Sequence, residues 1–483
     1  MTDVPFEPLL VDGARVPATG GARTPVHEPA TGGVLAEVAM AGPADVDAAV
    51  GAAQRAFEGG AWRAASSADR ARTLLRLGEL IRARAGDLAT LEARNVGKPI
   101  ADARDEVELG ARCFQYYAGL VPVFGGHTVP VAAKGHGFTF REPIGVCALI
   151  VPWNFPFAIT CWKAAPALAL GNSVVLKPAE ATPLTALRLG ELALEAGLPP
   201  GVLNVLPGEG QVAGAALVRH PGVRKVAFTG STEVGAEIMR AAADDVKRVS
   251  LELGGKSAAI VFADADLEKA AAAVFSVFGN AGQDCCARSR ILVERSAYGA
   301  FLERFVARTR AIRVGDPLDP QTEMGPLVSR ERRAVVDGYV HRGREEGARL
   351  VAGGAALAGG AFDRGSFYAP TVFADVRPEM VIAREEIFGP VAAILPFGDE
   401  AEAVRIANAS AYGLSGSLWT RDVARALRVA RAVETGVLSV NTSQSVHLEM
   451  PFGGVKRSGV GRDLGPAALE QYSELKSVFV AAD

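Results

Sequence analysis

Residues Gly279 to Arg290 read Gly-Asn-Ala-Gly-Gln-Asp-Cys-Cys-Ala-Arg-Ser-Arg, two adjacent thiols in a small, glycine-rich, polar setting. Upstream, Leu251-Glu252-Leu253-Gly254-Gly255-Lys256 sets a lone carboxylate inside an apolar run. A thiolate and a desolvated carboxylate are two parts that covalent catalysis requires. The sulfur attacks an electrophilic carbon, and the base later activates water to release the product. Free cysteine is also among the most buried residue types, so Cys285 and Cys286 alone read more readily as small core residues. Glu252 and the segments described next turn the reading toward chemistry.

These side chains need elements to hold them. The first third of the chain is helical in pattern: Val46, Ala49, Val50, Ala53 and Phe57 share one helical face, as do Leu74, Leu77 and Ile81. From Gly145 onward short apolar runs alternate with helical stretches. The runs are Val146-Cys147-Ala148-Leu149-Ile150, Val174-Val175-Leu176, Leu203-Asn204-Val205-Leu206 and Val226-Ala227-Phe228. Between the second and third, Thr182 reads as an N-cap, Pro183 as the first helical residue and Gly197 as the stop. Such repeats imply a parallel sheet covered on both faces. A second β/α series begins near Ala258-Ala259-Ile260-Val261-Phe262, which sets a boundary just after Gly254-Gly255.

Two glycine clusters follow expected strands: Gly208-Glu209-Gly210-Gln211-Val212-Ala213-Gly214 and Gly230-Ser231-Thr232-Glu233-Val234-Gly235. Glycine there lets backbone N–H groups and a helix N-terminus approach phosphate. Neither cluster has the G-x-G-x-x-G spacing, so a tightly packed turn without a ligand fits as well. Before the first series, Gly125-Gly126-His127 reads as a turn, and Thr128–Val131 and Gly137–Phe140 alternate like a hairpin.

Composition narrows the function classes. The 483 residues exceed one simple core, the apolar fraction is 49% and the charged fraction 22%. A net charge of -3 gives no long-range attraction to nucleic acid or anionic lipid. The N-terminus lacks a basic and apolar leader pattern, and the apolar stretch Val146–Trp162 is broken by Pro152, Asn154 and Pro156. It falls short of the ~20 residues that a membrane span needs. Five cysteines with no Cys-x-x-Cys argue for reduced thiols in a cytoplasmic setting, against a disulfide scaffold and against a metal site.

Gly282-Gln283-Asp284-Cys285 and Leu251–Lys256 resemble signature segments of the aldehyde dehydrogenase superfamily. Further matches are Pro152-Trp153-Asn154-Phe155-Pro156, Leu176-Lys177-Pro178-Ala179-Glu180, Phe228-Thr229-Gly230-Ser231-Thr232, Glu385-Glu386-Ile387-Phe388-Gly389-Pro390 and Phe452-Gly453-Gly454-Val455-Lys456-Arg457-Ser458-Gly459. Their order and spacing cover nearly the whole chain, including Val11-Asp12-Gly13. The resemblance implies an α/β fold: a Rossmann-like cofactor domain (1–124 and 145–254), a second α/β catalytic domain (255–435) and a small β oligomerisation element (125–144 and 468–483). An ordinary surface hairpin satisfies the pattern at 125–144 equally. A homodimer or homotetramer is implied.

By resemblance Cys285, not Cys286, is the nucleophile toward a small-molecule aldehyde, Glu252 the deacylating base, and Asn154 the oxyanion donor. The resemblance implies NAD as cofactor, with Trp153, Gly210, Gly230 and Ser231 along its path and Lys177 and Glu180 at the adenine ribose. A carboxylate at Glu180 repels a 2′-phosphate, which favours NAD; Lys177 leaves NADP as a weaker alternative. Glu386 and Phe388 match the positions that hold the nicotinamide ribose. The substrate pocket is expected near Phe155, Ile159, Trp162, Val446 and Phe452. Asp284 resembles aminoaldehyde-oxidising members, whereas Leu109 stands where plant aminoaldehyde enzymes carry an acid. Arg288 either contacts an anionic substrate or braces the loop. Aliphatic, aromatic and amino-aldehydes all stay open. Two rival readings stand beside this one: a catalytically silent nucleotide-binding or structural protein of the same fold, and a coenzyme-A-acylating enzyme. The presence of Cys285, Glu252 and Asn154 argues against the first, and Glu252 against the second.

Overall fold

Strand–helix alternation after residue 145 builds two open sheets, seen in a computed structural model that describes residues 4–482. In the first, the spatial order is Gly459–Val460, Arg248–Glu252, Lys225–Thr229, Val146–Ile150, Ser173–Lys177, Leu203–Val205, Leu9–Val11, Ala14–Val16. The five strands from Arg248–Glu252 to Leu203–Val205 are mutually parallel. Numbered along the chain, those five have the order 3-2-1-4-5 of dinucleotide-binding sheets. The order reverses between Val146–Ile150 and Lys225–Thr229, and a ligand crevice opens beyond their C-terminal ends.

The apolar runs are continuous because both faces are covered. Val146, Ala148 and Ile150 join one core with Val46, Val50, Leu217 and Ile238, while Cys147 and Leu149 join another with Phe157 and Leu168. Helix Pro43–Glu58 lies on the first side and Pro156–Ala169 on the second. Every residue of the latter helix is buried.

Three local expectations are adjusted. The first third is not all helix: Leu9–Val11 and Ala14–Val16 add to the sheet edge, and Phe6–Glu7, Arg23–His27 and Val34–Ala39 form a separate three-stranded sheet. Phe6–Glu7, Leu9–Val11 and Ala14–Val16 have only two or three residues, too few for periodicity to reveal, and Leu9–Val11 and Ala14–Val16 turn at Asp12-Gly13, where φ is 53° and 77°. Thr182 does not cap helix Leu184–Glu195; its Oγ1 is buried with no partner among the described residues, and Pro183, expected as the first helical residue, is instead the N-cap, its carbonyl accepting from Leu187 N. Gly197, at φ 98°, ends it as expected.

The second sheet runs Arg349–Ala352, Thr371–Ala374, Val391–Phe397, Arg290–Glu294, Ala258–Val261, Ser415–Trp419, Val437–Val440, all parallel except the first pair. It therefore takes in a strand beyond residue 435. The chain then returns to the first sheet, where Gly459 pairs with Glu252. A third sheet joins Thr128–Val129, Gly135–Pro143 and Ser473–Ala481, all antiparallel. Among the described residues no helix is long and apolar enough to cross a membrane.

Candidate active site

Glu252 is the last residue of its strand and is 4% exposed. Its Oε2 has no hydrogen-bond partner among the described residues. Burial, and then the nearby Asp463 carboxylate, hold its carboxyl well above the usual range, while Lys163 and Arg462 pull the other way. Lys163 is itself paired to Asp463 at 2.7 Å. A carboxylate so destabilised is a stronger base once it ionises. Gly453 permits this placement, because a β-carbon there would stand 2.6 Å from Glu252 Oε1.

The thiol sits at the end of a strained loop. Asn280, Ala281 and Gly282 have successive φ values of 48°, 54° and 70°, left-handed backbone that costs non-glycine residues of the order of 1 kcal/mol each. Side chains hold it there. Asn280 Nδ2 donates to the Asn154 carbonyl at 2.9 Å, and Asn154 Nδ2 donates to the Gln283 carbonyl at 3.0 Å. That contact leaves the Asn154 amide one further N–H beside the loop. Cys285 is half-buried and Cys286 buried. Hydrogen bonding between the two thiols, and then burial, push the Cys285 thiol well above its ordinary value. A thiol so held must lose its proton before it could act as a nucleophile. Arg288 braces the loop rather than facing a substrate: it is buried and donates to the carbonyls of Cys286 and Gly416 and, at 3.2 Å, to Ser445 Oγ. Asp284, Cys285 and Cys286 also gather ligand-type atoms within 4.8 Å of one another, a proximity that a Cys-x-x-Cys criterion overlooks.

Cys285 and Glu252 line one cavity of about 270 Å³. Phe155, Ile159, Trp162, Val446 and Phe452 supply its apolar wall, with Trp162 edge-on to Phe452 at 5.5 Å. Asp284 and Leu109 line it too, together with Asp102, Asp105, Glu106 and Asp463. The sequence reading missed those four acids. Asp102, Asp105, Glu106 and Leu109 recur at one-face spacing on helix Ile100–Leu120, a signal that was present but unused.

Of the residues expected along a cofactor, Lys177, Glu180, Gly210, Gly230 and Ser231 lie at or beyond strand ends of the first sheet, whereas Glu386 and Phe388 lie just before strand Val391–Phe397 of the second. Lys177 closes Ser173–Lys177, and its Nζ meets Glu180 Oε1 at 3.3 Å. The N–H of Gly210 donates to the same carboxylate oxygen, so Lys177, Glu180 and Gly210 form one cluster. Gly230 and Ser231 follow Lys225–Thr229, and Ser231 Oγ caps helix Thr232–Ala243 by accepting from Val234 N. Trp153 meets the Phe388 ring edge-on at 5.2 Å. Glu386 Oε1 accepts from Gly255 N at 2.9 Å, and burial pushes its carboxyl up to about 7.

The model of the aldehyde dehydrogenase family matches residues 16–478. This chain belongs to the aldehyde dehydrogenase family. It is 45% identical to PnpE, solved in complex with nicotinamide adenine dinucleotide, with 99% of this chain and 98% of that one covered at a TM-score of 0.97. An NAD-dependent aldehyde dehydrogenase from Sinorhizobium meliloti is 43% identical, with coverage of 99% and 95% and a TM-score of 0.97. The indole-3-acetaldehyde dehydrogenase AldA of P. syringae is 41% identical, with coverage of 100% and 98% and the same TM-score.

This aldehyde dehydrogenase also carries a buried ionic cluster that the sequence reading passed over. Lys98 pairs with Glu92 and Glu106, and all three are buried. Glu92 and Glu106 accept the free N–H groups of Phe157 and Ala158, the first turn of the helix that follows Asn154. Lys98 Nζ stands 4.3 Å over the Phe155 ring. The cluster thus fixes the segment carrying Asn154 and Phe155. Glu92 betrays itself as an acid among the buried Leu88, Ala89, Ala93 and Val96 of its helix.

Proposed function

We propose that this NAD-dependent aldehyde dehydrogenase releases a free carboxylic acid, with Cys285 as nucleophile, Glu252 as base and Asn154 as oxyanion donor. The carrying observation is that Cys285 and a buried Glu252, whose Oε2 has no partner among the described residues, open onto the same apolar cavity. Cys285 Sγ, after losing its proton, bonds to the aldehyde carbon and gives a thiohemiacetal oxyanion. The remaining N–H of Asn154 and a backbone N–H at Cys285 stabilise that charge, each worth about 3 kcal/mol of barrier. Collapse of the oxyanion expels hydride and leaves a thioester on Cys285. NAD, when bound, supplies the hydride acceptor. Glu252 then takes a proton from water, whose oxygen attacks the thioester carbon. The C–S bond breaks, the thiol recovers its proton and the acid departs.

The residues present fit NAD. The crevice at the order reversal, the Ser231-capped helix and the Glu180 carboxylate offer dipole, backbone N–H and hydroxyl acceptor in the sequence a dinucleotide requires. Glu180, tied to Gly210 and Lys177, would accept from ribose hydroxyls and oppose a 2′-phosphate.

Among the described residues the cavity wall carries Asp102, Asp105, Glu106, Glu252, Asp284 and Asp463 and no lysine, arginine or histidine. An aldehyde bearing its own carboxylate would find no counter-charge there, so the reading favours neutral apolar or cationic aldehydes. For assembly, Phe140, Leu475, Phe479 and Val480 of the third sheet are each about half exposed, and Ser473–Ala481 lies at its edge. Both features support a homo-oligomer joined through that sheet. Five free cysteines support a reducing, cytoplasmic compartment.

The test is NADH formation from neutral, cationic and anionic aldehydes by the wild type and Cys285→Ala. Thiol-dependent turnover that is slowest on anionic aldehydes is expected. Best turnover on a carboxylate-bearing aldehyde would overturn the substrate class, and a requirement for coenzyme A would overturn the role of Glu252.

A further inference from the structure

Phe388 has φ 53°, an unfavourable conformation for a bulky residue, and its surroundings must hold it there. The next residue, Gly389, lies hard against helix Arg330–Glu345: a β-carbon on it would stand 2.3 Å from the Val336 side chain. From the first turn of that helix Arg332 reaches back over the segment. Its Nε donates to the Phe388 carbonyl at 3.2 Å and its Nη2 to the Ile387 carbonyl. The guanidinium carbon stands 5.8 Å from the centroid of the Phe388 ring. Among the described residues Arg332 makes no ion pair within 4 Å, so its donors serve backbone carbonyls.

The start of the same helix is tied to the nucleophile loop. Ser329 Oγ caps it by accepting from Arg332 N at 3.2 Å, and Val328 N donates to Gln283 Oε1 at 2.8 Å. The Gln283 carbonyl in turn accepts from Asn154 Nδ2. Trp153, beside Asn154 in the chain, closes the circuit against Phe388.

We infer that Arg332 is a positioning residue that holds the left-handed Phe388 backbone and so fixes the Glu386–Phe388 clamp relative to the nucleophile loop. The inference rests on the proposed role of Glu386 and Phe388 toward the nicotinamide ribose. Arginine suits the task because its planar fork presents two donors to two successive carbonyls; lysine offers a single point of charge. Arg332 acts only on the cofactor side, since cofactor-free acyl chemistry needs Cys285 and Glu252 but not the clamp.

The experiment measures three quantities in wild type, Arg332→Ala and Arg332→Lys: NAD affinity by calorimetry, the rate of NADH formation, and NAD-free hydrolysis of an activated aryl ester. Arg332→Ala is expected to weaken NAD binding roughly tenfold, as loss of charge-assisted hydrogen bonds does, and to slow NADH formation. Ester hydrolysis stays within about twofold, and Arg332→Lys recovers part of the loss. Unchanged NAD affinity, or ester hydrolysis falling in parallel, would overturn the inference. Should Arg332→Ala fail to fold, Arg332→Gln carries the same comparison. Glu386→Gln separates the two levels. If it weakens NAD binding while the Arg332 variants do not, only this inference fails; if neither matters, the clamp reading fails with it.

Discussion

The backbone carbonyl oxygen of Cys285 lies 2.4 Å from where a β-carbon on Gly255 would stand, so this glycine is required by close approach rather than by backbone conformation. Its neighbour Gly254 serves the other side: a β-carbon there would meet Glu386 Oε2 at 2.2 Å. Two successive glycines thus bring the Cys285 backbone and the Glu386 carboxylate onto the segment that begins at Glu252. Gly255→Ala should displace the thiol loop and lower turnover roughly 100-fold, the scale of a misplacement near 1 Å. Thermal unfolding alongside steady-state rates checks it; an active Gly255→Ala enzyme would mean the loop yields freely.

The two thiols should separate cleanly. Cys285→Ala abolishes turnover, whereas Cys286→Ala keeps most of it. Hydrogen bonding with Cys286 is the foremost cause of the raised Cys285 thiol. Removing that partner should therefore let Cys285 ionise at lower pH. The pH dependence of iodoacetamide labelling, followed by loss of activity, measures this shift. A Cys286→Ala profile that stays put would show that burial alone sets the thiol.

Glu252→Gln should preserve a first-turnover burst of NADH and slow the steady state, because the proposed scheme uses this base only in deacylation. Rapid-mixing kinetics distinguish the phases. Equal loss of both would remove Glu252 from deacylation.

Much of this site was legible in the sequence, and the reason is local. Glu252, Gly230 and Lys177 stand at or just past the C-terminal ends of parallel strands whose apolar runs are continuous, so their position follows from strand order. The thiol loop was legible from its small polar residues. What escaped depends on which groups pair. Asp463 reaches Lys163 from the returning segment, and nothing near either residue announces the other. Lys98 and its acids lie close in sequence, and Glu92 stands out among the apolar residues of its helix, but the burial of Lys98 between two neighbouring helices needs the packed fold. Arg288 illustrates the same limit: its spacing allowed two roles, and its carbonyl partners choose one.

Activity should fall on acidification. Cys285 and Glu252 both ionise above their ordinary ranges, and Glu386 does so near 7. In the proposed roles each protonated form is the inactive one: a thiol that cannot attack, a carboxyl that cannot take a proton, and a ribose acceptor that has lost its charge. Ionisation of Cys285 and Glu386 would then push kcat/KM, and that of Glu252 kcat, upward with pH through neutrality into the alkaline range. A profile flat from about pH 6 to 9 would mean that none of them is titrating in the rate-limiting steps.

Glu386 also exposes a conflict between function and stability. Its folded carboxyl is raised from 4.5 to about 7, chiefly by burial. Folded chains then hold this proton where unfolded chains release it, so its contribution to stability declines as pH rises from 4.5 toward 7. Above 7 the full penalty stands, on the order of 3 kcal/mol at most; below 4.5 both states are protonated and it vanishes. Glu386→Gln keeps an acceptor for Gly255 N without the charge. The variant should be more stable than wild type at pH 8 and equal to it near pH 4.5, while binding NAD less tightly. Chemical denaturation at the two pH values measures the difference. Equal stability at pH 8 would mean that solvent or the Gly255 hydrogen bond already offsets the burial of the charge. That outcome would return Glu386 to the ordinary carboxylate range, and the acid limb of the activity profile would then belong to Glu252 and Cys285 alone.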